Sequence, residues 1–271
     1  MRQSPQLQTI FHVLLSYAGF LLTNRILCPL LGRLPLPLGE WVIDLAAFLT
    51  AVLVFFGVYT LLGRQSEQKA IPRNDRRRCS VPMAIVHVGY GFLWLVFLMF
   101  LVLLVFPVEG DPVREELLPR LLTAVLVHPL LEEILFRRIC QDRLLTLSEV
   151  RTETEIVEDG TAEPKEPVNT RAGMLFAVLT QALLFALVHT GGGGMLYGFG
   201  GGVVLGTLML RTGRLWVPVV CHMLVNLRSV AYPYLPEGLT YGLDFLWLAV
   251  GLACGVVFWI HRYRKAGEEK A

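Results

Sequence analysis

Leu130-Leu131-Glu132-Glu133-Ile134-Leu135-Phe136-Arg137 is the stretch on which the reading of this chain turns. It lies inside an apolar run, roughly 117–140, long enough to cross a bilayer as a helix. An ionised Glu at membrane depth costs roughly 2.5–3.5 kcal/mol on insertion scales. Two in a row must face a polar cavity and act there, or mark a helix end emerging into the cytosol beside Arg138 and Arg143. Residues four apart share a helix face, so Glu133 and Arg137 are placed to pair. Glu132 is turned about 100° away from Glu133 and faces a different group, or water.

Composition supports a membrane setting. The 271 residues are 54% hydrophobic and 17% charged, against about 25% charged in a soluble domain. The expected fold is all-α, a polytopic bundle of about eight transmembrane helices forming one integral membrane domain over 1–271. Candidate spans are 8–31, 41–63, 82–107, 117–140, 173–190, 195–210, 215–231 and 242–261. No cleavable signal peptide is evident. A net charge of +2 gives no argument for nucleic acid. Cys28, Cys79, Cys140, Cys221 and Cys254 are scattered, with no C-x-x-C pair, which argues against a disulfide framework or a thiolate metal site.

Basic residues orient the bundle. Arg64, Lys69, Arg73, Arg76, Arg77, Arg78, Arg211, Arg214, Arg262, Arg264, Lys265 and Lys270 all fall on one side if eight helices follow a cytoplasmic N-terminus. The positive-inside rule then puts both termini in the cytoplasm. Residues 146–172 are acidic and nearly devoid of apolar side chains, and read as a disordered cytoplasmic insertion. No internal repeat is evident, which weakens a transporter reading.

Further polar groups stand on the following helices. His189 ends Phe185-Ala186-Leu187-Val188-His189 and shares a face with Gln181 and Phe185. His222 and Asn226 are one turn apart. A carboxylate, two His and an Asn on three helices suit water-mediated acyl chemistry. The carboxylate takes a proton from water, a His orients that water or binds a metal, and a His-Asn pair faces the oxyanion. H-E-x-x-H and G-x-S-x-G are absent, so the attacking group would be water. Depth poses a difficulty. His222 lies about 12 Å of helix beyond Arg214, but His189 lies about 27 Å beyond Arg171. A tilted fifth helix, or a Gly191–Gly202 loop dipping into the protein, would reconcile the two.

In this order, Glu132-Glu133-Ile134-Leu135-Phe136-Arg137, Phe185-Ala186-Leu187-Val188-His189 and His222-Met223-Leu224-Val225-Asn226 resemble the motifs of the CAAX prenyl protease type II and bacteriocin-processing (CPBP, or abortive infection) family of intramembrane proteases. The turn Leu210-Arg211-Thr212-Gly213-Arg214-Leu215-Trp216 adds to the resemblance, which covers a catalytic core of about 117–230. It implies an intramembrane endopeptidase with Glu132 as general base and His189 holding the water. Glu133 and Arg137 would be a supporting pair, and His222 and Asn226 the oxyanion site. The family is usually labelled metalloprotease. If zinc or another divalent metal is used, Glu132, His189 and His222 are its ligands, and a glutamate-dependent, metal-free mechanism is the other reading.

The resemblance implies a peptide or protein substrate, in some relatives lipidated at its C-terminus, reached from a cytosol-facing cavity among membrane lipid. A prokaryotic plasma membrane is the expected location. A non-catalytic immunity or scaffold protein on the same fold is the alternative. Substrate identity and oligomeric state are not legible.

Overall fold

The computed structural model describes residues 5–31, 33, 42, 46, 49–50, 53, 57, 78–107, 117–147, 149–150, 155–156, 162–163 and 168–268. Seven helices account for most of them: α1 (5–31), α2 (Val81–Val105), α3 (117–146), α4 (Arg171–Leu187), α5 (Gly191–Thr212), α6 (Trp216–Ala231) and α7 (Glu237–Glu268). The expected span at 41–63 lies largely outside the described residues, as does most of the 146–172 insertion. Within that insertion two short antiparallel pairings occur, Glu149–Val150 with Val168–Asn169 and Glu155–Ile156 with Ala162–Glu163.

Among the described residues, three helices are long and apolar enough to cross a membrane: α2, α5, and α7 over Glu237–Arg264. The outward faces of α2 and α7 suit lipid. Leu104, Val105, Phe245 and Trp259 are each at least 65% exposed, and water would not tolerate so much apolar surface on a monomer. Against lipid, helices associate through close packing and interhelical hydrogen bonds rather than through the hydrophobic effect.

Two apolar clusters follow from this packing. Val13 and Tyr17 of α1 meet Leu135, Phe136 and Ile139 of α3 and Phe185 of α4. Ala84, Phe92 and Leu95 of α2 meet Leu205 and Leu208 of α5 and Val217, Cys221 and Val225 of α6.

Residues 191–202 form helix, not the dipping loop their composition suggests. Glycine there serves close approach. A Cβ on Gly202 would lie 2.8 Å from the Ala182 Cα of α4, and one on Gly198 would lie 2.8 Å from His189 Nδ1. Buried Gln181 stitches the same seam by donating to the Gly202 carbonyl at 2.7 Å, and Gln141 of α3 donates to the Gly206 carbonyl at 3.0 Å.

The helix ends show how the bundle is threaded. Thr170 caps α4, its hydroxyl accepting from the Gly173 N–H at 3.0 Å. Gly213, at φ 62°, closes α5 in the left-handed conformation. The turn behind it is tied to the start of α2: Arg214 Nε donates to the Cys79 carbonyl at 2.8 Å, and the Cys79 N–H donates to the Thr212 carbonyl at 3.2 Å. Arg78, Arg211 and Arg214 therefore share one end of the bundle. At the opposite end Phe106, just past α2, lies against Gly192 and Gly193, so α2 and α5 run antiparallel.

Candidate active site

α3 is not a uniform helix. Wide turns over Leu121–Val127 and Ile134–Gln141 flank an ordinary α-helical segment, His128–Glu133. In the first wide turn the His128 N–H bonds to the Thr123 carbonyl five residues back. The next carbonyl in that pattern, Ala124, would look to residue 129, but Pro129 has no N–H. Asn226 of α6 fills the gap, its Nδ2 donating to the Ala124 carbonyl at 2.8 Å. The motif asparagine thus also anchors α6 to α3 beside the carboxylates. Wide turns of this kind recur at functional sites.

The two carboxylates occupy different surroundings. Glu133 is fully buried, with Oε2 2.9 Å from Nε of fully buried Arg137. The N–H of Arg137 is poorly aligned for a hydrogen bond, so the contact is an ion pair by distance. Glu133 Oε1 also meets His222 Nδ1 at 3.0 Å. The Arg137 guanidinium lies over the Phe185 ring, 4.7 Å from its centroid. Complete burial of Glu133 and Arg137 rules out the solvated helix end considered from the sequence. Glu132 keeps 17% of its side chain exposed and faces His222 Nε2 at 3.8 Å, too long for a hydrogen bond.

Glu132 opens on a cavity of about 330 Å³. Its walls carry Glu132 and His128 from α3, Phe185 and Val188 from α4, and His189 and Thr190 from the turn after α4. Tyr197, Gly201 and Leu205 of α5 complete them with His222, Val225 and Asn226 of α6, Ala124 of α3 and Leu95 of α2. The structure therefore brings Glu132, His189, His222 and Asn226 to one cavity and leaves Glu133 and Arg137 behind its wall.

His189 is held by two constraints. Its Nδ1 lies 2.8 Å from the Phe185 carbonyl, one turn back. That carbonyl can only accept, so Nδ1 carries the proton, and in the neutral ring Nε2 is left as an acceptor. The turn that bears it is secured by Arg25 of α1, whose Nη2 donates to the Val188 carbonyl at 3.1 Å, and leads into Gly191 at φ 72°. Phe185 packs edge-on against both His189 and His222, with centroids 4.7 and 5.7 Å away, and so separates the two imidazoles.

His128, Thr190 and Tyr197 also line the cavity, and sequence reasoning did not single them out. His128 was discoverable, since it stands one turn before Glu132 on the same helix. Tyr197 was hidden by the glycines around it. Cys140 and Cys221 are buried free thiols away from the cavity wall. Among the described residues no three His, Cys, Asp or Glu side chains are spaced to hold a metal ion, the set Glu132, His189 and His222 included.

Residues 114–228 match the family model described as Type II CAAX prenyl endopeptidase Rce1-like. Every cavity-lining residue of α3, α4, α5 and α6 named above lies within that range. No curated protein matches the chain, and no solved structure does.

Proposed function

Because residues 114–228 match the Rce1-like type II CAAX prenyl endopeptidase model, we propose that this membrane protein is an intramembrane endopeptidase that cleaves a peptide bond with water activated by Glu132. The observation that carries the reading is the division of labour between neighbouring carboxylates. Glu133 is buried between Arg137 and His222, whereas Glu132 is the carboxylate that reaches the cavity.

In this mechanism Glu132 takes a proton from a water whose other hydrogen is accepted by His189 Nε2. The water oxygen bonds to the substrate carbonyl carbon. The resulting oxyanion is met by the Asn226 N–H not used on Ala124 and by His222 Nε2–H, the ring being doubly protonated because its Nδ1 also donates to Glu133. Glu133, accepting from His222 Nδ1, fixes the orientation of that ring. The C–N bond then breaks, and Glu132 returns the proton to the leaving amine. The route is proposed without a metal, and the proposed substrate is a protein or peptide of CAAX type, lipidated at its C-terminus.

The bundle is proposed to be multi-pass, with the basic end and both termini cytoplasmic and the cavity entered from that face. A prokaryotic plasma membrane is the proposed location.

The test uses purified protein in detergent and a farnesylated peptide ending in a CAAX tail. Mass spectrometry should show loss of the last three residues, at a rate unchanged by a divalent-metal chelator. Absence of cleavage would contradict the reading. Cleavage abolished by the chelator and restored by zinc would replace its mechanism with a metal-dependent one.

A further inference from the structure

Arg25 is a cation inside the first apolar run, 8–31, and lies outside both the motifs and the family match over 114–228. An ionisable side chain in such a run is costly enough to call for a function. Its Nη2 donates to the Val188 carbonyl at 3.1 Å, on the peptide unit that joins Val188 to His189. Both of those residues wall the cavity. That bond takes one of the five N–H donors of a guanidinium. Among the described residues Arg25 has no other hydrogen bond and no counter-ion, and it is exposed.

Two further arginines near the site are committed. Arg137 is sealed behind the cavity wall against Glu133. Arg228, two residues past Asn226, places Nε and Nη2 on the two Asp244 oxygens at 2.9 Å each. Arg25 is the cation beside the His189 turn that keeps charge and donors to offer.

Its place in the bundle fits one end of the substrate. Gly213 closes α5 at the basic end, whereas Val188 precedes Gly191 at the end marked by Phe106. Tyr197, Gly201 and Leu205, the cavity strip of α5, lie between the two. A substrate entering from the basic face therefore carries its C-terminus toward Arg25. Cleavage three residues from that terminus leaves the α-carboxylate within about 10 Å of the scissile bond, since an extended residue spans at most about 3.3–3.6 Å. A carboxylate drawn to that depth needs a cation, and a guanidinium holds one by charge-assisted hydrogen bonds.

We propose that Arg25 is a specificity-determining residue whose guanidinium binds the free α-carboxylate at the C-terminus of the substrate. No covalent bond to Arg25 forms or breaks. This inference rests on the endopeptidase reading above and names the part of the substrate that the site recognises.

The test compares the farnesylated CAAX peptide as its free acid and as its C-terminal amide, on wild type, Arg25→Gln and Arg25→Lys. In wild type kcat/KM for the acid should exceed that for the amide by about tenfold to a hundredfold, the worth of a hydrogen bond to a charged group. The difference should lie in KM, as for binding shared by ground and transition states. Arg25→Gln should bring the ratio to within about twofold of one. Loss of the bond to Val188 slows both peptides alike and cancels in the ratio, so a purely structural role does not move it. Arg25→Lys keeps the charge without the planar fork, and its ratio should fall between the other two. It carries the test if Arg25→Gln does not fold. A wild-type ratio near one, or the wild-type ratio preserved in a folded variant, would overturn the proposal while leaving the endopeptidase reading intact. Failure of both variants to fold would assign Arg25 a structural role and overturn it equally. A wild-type protein that cleaves neither peptide overturns the endopeptidase reading and this inference with it.

Discussion

Glu132 and Glu133 are adjacent in sequence and opposite in consequence. Glu133→Gln removes the charge that faces both Arg137 and His222 and leaves a fully buried guanidinium without its counter-ion. Breaking one side of a buried ion pair costs about 3–5 kcal/mol, so the account predicts a clear drop in melting temperature, read by a thermal shift assay in detergent. Asn226→Leu should also destabilise, by roughly 1–3 kcal/mol, because the Ala124 carbonyl is left without its donor. The first effect was legible in the sequence, since a pairing four residues apart on a helix is a local rule. The second was not. The Ala124 carbonyl is free only because α3 widens before Pro129, and its partner comes from α6, 102 residues away. Periodicity carries no trace of either fact.

At the scale of elements, the site is assembled by α4 and α5 packing closely enough to bring His189 and Tyr197 to the same cavity as the carboxylates of α3. Gly202→Ala tests this. The new Cβ would press on the backbone of α4 rather than on a side chain that can swing away, so we expect about 1–3 kcal/mol of destabilisation, seen as a lowered melting temperature. Gly213→Ala, by contrast, would strain the left-handed turn that closes α5. The glycine run 191–202 invited a loop assignment because glycine punctuates helices in water. Between membrane helices small residues permit backbone contact, and that role depends on the neighbouring helix, which composition does not reveal. α4 is helical from Arg171 to Leu187, and His189 follows in the turn at its end. The expected loop was not needed to place it in the cavity with Glu132.

For the whole molecule, the apolar exterior of α2 and α7 and the gathering of Arg78, Arg211 and Arg214 at one end define a bundle with a charged face and a lipid-facing waist. Membrane class was readable from 54% hydrophobic and 17% charged residues, because a bilayer-spanning helix cannot hide its composition. Helix packing around the cavity was not readable, because lipid-facing and protein-facing apolar residues look alike. If the basic end is cytoplasmic, a single Cys placed at Lys270 of a cysteine-free variant should react with an impermeant maleimide in inverted vesicles and not in intact cells. Labelling in intact cells would reverse the orientation.

The assignment of chemistry to Glu132 is tested most directly by Glu132→Gln, assayed for cleavage of the farnesylated CAAX peptide beside its melting temperature. The account predicts that cleavage is abolished while the melting temperature stays at the wild-type value. A folded Glu132→Gln protein that still cleaves the peptide would contradict it.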